Sequence, residues 1–208
     1  MKQPIQHESK NRLLDAALHV IRSKGYTAAT VDDVCRAAGL TKGSFFHHFK
    51  SKEELAVAAA GHFSAMADRL FTSAPYWAKA DPLDRLLGYV DFRMAILQGA
   101  LPDFTCLLGT MVQEAYVTHP AIRRACDEGF TANAAMVETF VAAAMGKYGA
   151  SGGWSANSLA LYTQAVLQGA FILAKARGGP GVAVECLAHL RRYLELLFTQ
   201  PQVKEKAA

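Results

Sequence analysis

The sequence predicts an all-α fold, in which a small three-helix domain precedes a larger domain of about six helices. Apolar residues recur at intervals of three and four along nearly every segment, as in helices with one buried face. No segment shows the strict alternation of a half-buried strand. Glycines, prolines and cap residues interrupt this pattern at spacings that suit helices of ordinary length. The predicted domains cover residues 1–52 and 53–200, followed by a frayed tail over residues 201–208.

Three short helices are predicted before residue 50. The first runs from about Ser9 to Lys24. Thr30 can cap a second helix, which ends before Gly39, because a threonine hydroxyl can accept from the free N–H groups of a helix start. Thr41 can cap a third helix that reaches the region of Phe49. Three short helices with a glycine in the turn between the second and the third match the helix-turn-helix arrangement.

The later helices are predicted from their start and stop signals. Ser51-Lys52-Glu53-Glu54 has the capping-box pattern and begins a long helix that ends near Phe71. Asp81-Pro82 marks the next start, since a cap residue precedes proline at the first helical position. About five helices follow, separated by breaks at residues 98–103, 119–120, 146–154 and 178–181. The uncharged stretch 156–174 is long enough to span a membrane, but its polar side chains favour a buried helix.

Composition and charge narrow the class of protein. Of the 208 residues, 51% are hydrophobic, which suffices for a sizeable core and argues against disorder. Residues 1–55 contain nine basic residues (Lys and Arg) and six acidic ones (Asp and Glu). The other 153 residues contain thirteen basic and twelve acidic residues. The basic excess therefore lies near the N-terminus and suits an anionic partner. The four cysteines are far apart and no apolar signal segment opens the chain, so we expect a cytoplasmic protein without a disulfide framework, metal or cofactor.

The third helix has a composition suited to contact with DNA. Residues 41–52 read TKGSFFHHFKSK. Thr41 and Lys42 lie where a helix N-terminus offers N–H groups to phosphate oxygens. Gly43 and Ser44 keep the leading turn slim enough to approach base edges.

Aromatic and cationic residues complete this segment. Phe45 or Phe49 would anchor the helix to the core, the two histidines can donate to phosphates or bases, and the lysines that follow extend the contact with phosphates. The candidate DNA-contacting residues are Thr30, Arg36, Thr41, Lys42, Gly43, Ser44, His47, His48, Lys50 and Lys52.

The glycine, aromatic, cap and lysine positions from Gly25 to Leu55 resemble, in register, the DNA-binding signature of the TetR family of repressors. The resemblance covers roughly residues 9–60. It implies an all-α homodimer in which an inducer bound to a C-terminal domain of about six helices changes the spacing of two recognition helices. The family usually has tyrosine at the position of Phe46 and often at that of His48. The missing hydroxyl removes one possible phosphate contact, which His48 would replace in a pH-dependent way.

A weaker resemblance concerns a TetR subgroup in which some members respond to electrophiles through a cysteine. The similar segments are residues 103–109, 118–123 and 168–176. By position this resemblance singles out Cys106. If Asp103 caps a helix that starts near Phe104, the thiol lies in the first turn, where the helix dipole would lower its pKa, and Lys175 would lower it further if close. The alternative is a buried cysteine that serves as a small hydrophobe.

Candidates for the effector pocket and the dimer interface come from the larger domain. Effector pockets are mostly apolar with a few polar groups, which suits Phe63, Met66, Tyr89, Phe92, Cys106, Met111, Gln113, Tyr116, Phe140 and Tyr162. A leucine stripe and small residues on the last two helices predict a dimer interface formed by Gly169, Ala170, Leu187, Leu190, Leu194 and Leu197. The alternative for this stripe is an intramolecular core.

The leading functional hypothesis is a ligand-responsive repressor that binds a palindromic DNA operator as a homodimer. A small-molecule effector, apolar or reactive, would release it. The first alternative is a redox- or electrophile-sensing repressor acting through Cys106, and the second is a sequence-tolerant architectural DNA-binding protein. We expect neither enzymatic activity nor a membrane partner, since the sequence has no nucleophile elbow, zinc-protease or nucleotide-binding motif.

Overall fold

Every regular element that the computed structural model describes is a helix, over residues 3–149 and 153–199. The predicted all-α class is therefore confirmed. The helices are α1 (Gln3–Lys24), α2 (Val31–Ala38), α3 (Lys42–His48), α4 (Lys52–Thr72), α5 (Pro82–Ala95), α6 (Leu101–Phe104), α7 (Leu107–Ala115), α8 (Pro120–Tyr148), α9 (Ala156–Arg177) and α10 (Gly181–Thr199), with a 3-10 helix at Pro75–Ala78.

The starts of α2 and α3 follow from local hydrogen bonds. The Thr30 hydroxyl accepts from the Asp33 N–H at 3.1 Å, and the Asp33 carboxylate accepts from the Thr30 N–H at 3.1 Å, which completes a capping box. Gly39 ends α2 in the left-handed conformation, with φ of 61°. The Thr41 hydroxyl then accepts from the Ser44 N–H at 3.2 Å and caps α3. Both predicted cap residues are confirmed.

The region before α7 differs from the prediction. Asp103 does not cap the following helix, because its carboxylate accepts from the Ala100 N–H at 2.9 Å and so stabilises the first turn of the short α6. The next helix begins at Leu107, and Cys106 is its N-cap residue. The predicted tail over residues 201–208 and part of the predicted break at 146–154 lie outside the described residues.

The chain forms two compact units. The first comprises the chain up to Phe71 together with Gly99–Phe130, and the second comprises Thr72–Gln98 and the chain from Thr131 onward. In the first unit α1, α2 and α3 pack on one another. The first turns of α4 belong to the same core, which buries Leu55, Ala56, Ala59 and Ala60. This unit therefore extends beyond the predicted boundary after residue 52.

The second unit is built around α10, which packs against α5 and α9. Its leucine stripe is buried within the chain, since Leu187, Leu190 and Leu194 expose 0%, 2% and 0% of their surface. A side chain without exposed surface cannot contact a second chain, so the prediction that these leucines form a dimer interface is wrong. They form the intramolecular core that was the alternative. Ala170 of α9 is buried in the same way, whereas Gly169 and Leu197 are partly exposed.

Helix α9 is long and apolar enough, by length and composition alone, to cross a membrane. In the structure it is a core helix of the second unit. Its inward face buries Leu159, Thr163, Leu167, Phe171 and Ala174. The hydroxyl of Thr163 donates to the Leu159 carbonyl at 2.9 Å, so this buried polar group is satisfied within the helix.

Candidate DNA-binding surface

Helix α3 is fixed to the first unit by two aromatic anchors. Phe45 and Phe49 are both buried, as the sequence predicts, and their ring centroids lie 5.8 Å apart. Lys42, Gly43 and Phe46 of the same helix are all exposed. The two anchors therefore hold α3 while these three residues stay accessible.

The exposed cations of α2 and α3 are paired with two aspartates of α2. Lys42 Nζ lies 2.8 Å from Asp32 Oδ1, and Arg36 Nη1 lies 3.5 Å from Asp33 Oδ1. Hydrogen bonds from Lys24 and Thr30 lower the pKa of Asp33 to about 2, so this carboxylate stays charged at neutral pH. The hydrogen bond with Asp32 raises the pKa of Lys42. Exposed ion pairs are weak in water, so both cations can exchange their aspartates for phosphates.

The two histidines of α3 occupy different environments. His47 is exposed, whereas His48 is half-buried and its Nε2 is hydrogen-bonded to Ser9 Oγ of α1 at 2.7 Å. Burial, with smaller contributions from His47 and Lys10, lowers the pKa of His48. The ring is therefore neutral at neutral pH and helps to fix α3 on α1. Contact of either histidine with DNA stays a prediction.

Lys52 does not belong to the exposed cations. Its ammonium donates to the carbonyls of Tyr26, Thr27 and Ala29 at 3.0, 3.2 and 3.0 Å, and it lies 4.4 Å from the centroid of the Tyr26 ring. An ammonium has three donors, and here all three are used by backbone carbonyls. Lys52 therefore holds the loop between α1 and α2 in the free chain, and its contact with a phosphate stays a prediction.

Glu114 of α7, a second helix, also holds this loop. It was not among the predicted site residues. Its Oε2 accepts from the Thr27 N–H at 2.7 Å. The carboxylate also lies so close to Gly25 that a Cβ there would collide with it, and Gly25 has a φ of 85°. Only glycine meets both conditions. No local sequence pattern predicts this contact, because Thr27 and Glu114 are 87 residues apart.

Cys106 lies at the start of α7 rather than within its first turn. Its Sγ accepts from the Gly109 N–H at 3.5 Å, and the side chain is half-buried against the core of the first unit. Arg22 of α1 donates to the carbonyl of the preceding Thr105 at 3.3 Å, which brings its guanidinium to this segment. Burial lowers the pKa of Arg22, and the nearby Asp103 and Cys106 oppose that shift. All four cysteines are free thiols.

The predicted effector residues are divided between the two units. The first unit contains Phe63, Met66, Cys106, Met111, Gln113 and Tyr116, and the second contains Tyr89, Phe92, Phe140 and Tyr162. Met111 is fully buried in the core of the first unit, whereas Met66, Tyr116 and Tyr162 are exposed. The structure therefore does not gather these ten residues into a single cluster within either unit, and their contact with an effector stays a prediction.

An aromatic cluster in the second unit unites three of these candidates. The Tyr76 ring packs edge-on against Tyr89, Phe92 and Phe140, with centroids 5.8 to 5.9 Å apart. Tyr76 is buried, and burial raises its pKa to about 12. Tyr76 was not among the predicted effector residues, because it lies between the helix predicted to end near Phe71 and the next predicted start at Asp81-Pro82.

Polar groups border this aromatic cluster. The Tyr89 hydroxyl accepts from Arg93 Nε at 3.0 Å and donates to Asn133 Oδ1 at 3.2 Å. Arg93 Nη2 also donates to Asn133 Oδ1, at 3.0 Å. Apolar walls with a few polar groups are the usual composition of a small-molecule site.

Two family models match the chain. One, described as bacterial regulatory proteins of the tetR family, matches residues 13–59. The other, described as the C-terminal domain of transcriptional regulators like LmrA and YxaF, matches residues 82–180. The first contains α2 and α3, and the second begins at the start of α5 and ends just beyond α9.

Several regulators are similar in sequence. The transcriptional regulator AcuR of Cereibacter sphaeroides is 33% identical over 112 residues, which cover 53% of this chain and 49% of AcuR. The transcriptional repressor DhaR of a Mycobacterium species is 30% identical over 50% of this chain and 51% of its own length. The repressor NemR of Escherichia coli is 30% identical over 43% of this chain and 45% of its own length. The chain thus spans about half the length of these curated relatives.

Solved structures show the same fold. A TetR family regulator from Agrobacterium tumefaciens superposes with a TM-score of 0.80 at 18% identity, covering 93% of this chain and all of that chain. The reduced form of E. coli NemR superposes with a TM-score of 0.76 at 22% identity, covering 95% of this chain and 100% of that chain. The chain therefore has an N-terminal domain of the tetR family of bacterial regulatory proteins and a C-terminal domain like that of the transcriptional regulators LmrA and YxaF, on the fold of solved TetR family structures.

Proposed function

We propose that the chain is a cytoplasmic transcriptional repressor that binds a palindromic operator as a homodimer and is released by a small-molecule effector. The observation that carries the DNA-binding part is the construction of α3. Phe45 and Phe49 are buried and hold the helix, while Lys42, Gly43 and Phe46 stay exposed. A short helix held in this way can enter the major groove without disturbing the core beneath it.

The proposed dimer interface is the outward face of α9 and α10. Large apolar side chains are exposed there, namely Leu161, Tyr162, Ile172, Leu173, Tyr193 and Leu196. Tyr162 packs edge-on against Tyr193 with centroids 5.4 Å apart. A Cβ at Gly169 would meet nothing within 4 Å, so a partner helix could approach closely at that point. Apolar surface of this extent on a soluble chain is usually an interaction site.

A homodimer would present two recognition helices to one face of the DNA. Half-sites one turn apart are separated by about 34–36 Å, so a two-fold protein requires a palindromic operator. The effector need only bind more tightly to a conformation in which this spacing is wrong. We propose that it binds at the aromatic cluster of the second unit, where Tyr89, Phe92 and Phe140 surround Tyr76 and Arg93 supplies a polar group.

A second candidate function is electrophile sensing through Cys106. Its thiol caps α7, accepts from the Gly109 N–H and lies in the segment that Arg22 contacts, so the thiolate would gain a hydrogen bond and a nearby cation. Addition of the thiolate to an activated alkene forms a C–S bond, and the carbanion that results takes a proton from water. The adduct would displace the cap of α7. A solved structure of the similar NemR is described as its reduced form.

Footprinting on the DNA that flanks the protein's own gene, with competitor DNA present, tests the proposed function. Protection of a short palindrome supports it and provides an assay for effectors. Diffuse binding that competitor removes would instead favour the architectural alternative, because binding without sequence preference depends mostly on phosphate contacts. Cys106→Ser separates the two candidate signals: if electrophiles release this variant as readily as the wild type, the thiol is not the sensor.

A further inference from the structure

Phe46 is an aromatic residue that the fold does not use. It exposes 58% of its surface, although its neighbours Phe45 and Phe49 are buried. The Phe46 ring touches Phe45 only edge-on, with centroids 5.1 Å apart and planes at 85°. Helix α3 already has its two anchors, so a third aromatic residue on its outer face is not needed to hold it.

The surface next to this ring is open. Residues four and three positions before Phe46 share its helix face, and these are Lys42 and Gly43. A Cβ built on Gly43 would meet only the Thr41 hydroxyl oxygen, at 3.6 Å, which is an ordinary contact. Gly43 also has no left-handed backbone, so the fold does not require glycine there. Because Gly43 has no side chain, nothing from that position fills the surface beside the Phe46 ring, and we call this place, with Lys42 next to it, the slot.

The chemistry of the major groove indicates what this slot can receive. Phosphates and most base-edge atoms offer hydrogen-bonding groups, which a phenyl ring cannot use. The apolar group on the edges of unmodified bases is the C5-methyl of thymine. We propose that Phe46 contacts the methyl group of a thymine in each half-site, with Gly43 leaving room for it, and that Phe46 therefore determines specificity. This inference rests on the proposed function.

The experiment begins with selection of binding sites from random double-stranded DNA by the full-length wild type, Phe46→Ala and Val117→Ala. Val117 is an exposed apolar residue of the same unit outside the DNA-binding surface, so it is the matched control. We expect the wild type and Val117→Ala to enrich one palindrome with a preferred thymine in each half-site. Phe46→Ala should enrich the same palindrome without that preference. Circular dichroism checks that each variant is folded.

The selected site is then synthesised with deoxyuridine in place of the preferred thymine, which removes only the methyl group. Loss of one buried methyl predicts about fourfold weaker wild-type binding for one half-site, and about fifteenfold for both. Phe46→Ala should bind the two DNAs equally. Equal binding by the wild type, or the same ratio in Phe46→Ala, overturns the inference while the palindrome still supports the proposed function. If the wild type enriches no palindrome, both fail.

Discussion

At the scale of single residues, the cations of the first unit differ in the groups that their charged ends contact. Lys42 and Arg36 end in exposed ion pairs with aspartates, and a phosphate can replace those partners. The ammonium of Lys52 instead donates hydrogen bonds to three carbonyls of one loop. If it turned to a phosphate, those carbonyls would lose a charged donor. Position in the sequence does not separate these cases, because a long flexible side chain can reach either partner.

Replacing Lys52 by methionine tests this distinction against the same change at Lys42. We expect Lys52→Met to lower the free energy of unfolding by about 1.5–3 kcal/mol, because hydrogen bonds from a charged donor are lost. Lys42→Met should leave stability unchanged and reduce the slope of log affinity for DNA against log salt by about one. Urea unfolding and binding titrations at several salt concentrations measure both. A reduced salt slope in a fully folded Lys52→Met would show instead that Lys52 contacts a phosphate.

Gly43 offers a second residue-scale prediction, in which stability and binding change in opposite directions. Gly43→Ala should stabilise the chain by up to about 1 kcal/mol, since alanine is the better helix former and meets no close neighbour. It should weaken binding to the operator, because the methyl group fills the slot beside Phe46. Gly61→Ala is the matched control: Gly61 lies in α4, and a Cβ there also meets nothing within 4 Å. Equal operator binding by both variants would contradict the prediction.

At the scale of elements, the loop between α1 and α2 is held from two helices. Lys52 at the start of α4 binds its carbonyls, and Glu114 near the end of α7 binds the Thr27 N–H. Cys106 is the N-cap residue of α7, so a disturbance of that cap and the hydrogen bond to the loop involve the same nine-residue helix. A shift of α7 would therefore reach the segment that leads into α2 and the recognition helix.

The strength of this link is tested with Glu114→Ala. We expect hydrogen exchange at the Thr27 amide to accelerate, because its acceptor is removed, while amides in the middle of α1 keep their protection. Glu114→Gln retains an acceptor oxygen, so its exchange rate at the Thr27 amide should lie between those of the wild type and Glu114→Ala. Glu128→Ala, an exposed carboxylate of α8, serves as the control. Unchanged exchange at Thr27 in Glu114→Ala would show that the loop does not depend on α7.

Sequence signals predict the elements better than their contacts. Caps such as Thr30 and Thr41 act on N–H groups three residues away, so the residues that decide them are adjacent in the sequence. The bond from Thr27 to Glu114 depends on how α7 packs, and no local pattern contains that information. The α10 leucines show a third case. Their spacing predicts burial, but it does not say whether the covering surface comes from the same chain or another.

At the scale of the whole molecule, the proposed function requires two chains. The outward apolar face of α9 is the surface available for the second copy, since the inward face is already buried. Binding a palindrome as a dimer places both recognition helices on the DNA after one association event. Loss of dimerisation should therefore reduce operator affinity far more than loss of a single contact.

This prediction is tested with Ile172→Asp, which places a charge on the exposed face of α9. We expect a monomer by analytical ultracentrifugation, a helical circular dichroism spectrum like that of the wild type, and operator binding weakened by at least tenfold, since unpaired charges are excluded from apolar interfaces. Val117→Asp adds the same charge to another exposed apolar position and should stay dimeric. A dimeric Ile172→Asp would place the interface elsewhere.

The exposed ring of Phe46 beside Gly43 has a consequence for the chemical state of the DNA. A cytosine methylated at C5 carries its methyl group at the same place in the major groove as thymine does. The phenyl ring therefore cannot distinguish these two bases by the methyl group alone. An operator in which cytosine replaces the preferred thymine would bind weakly, and enzymatic methylation of that cytosine would recover part of the affinity. Regulation by this protein would then respond to epigenetic marking of its operator as well as to an effector.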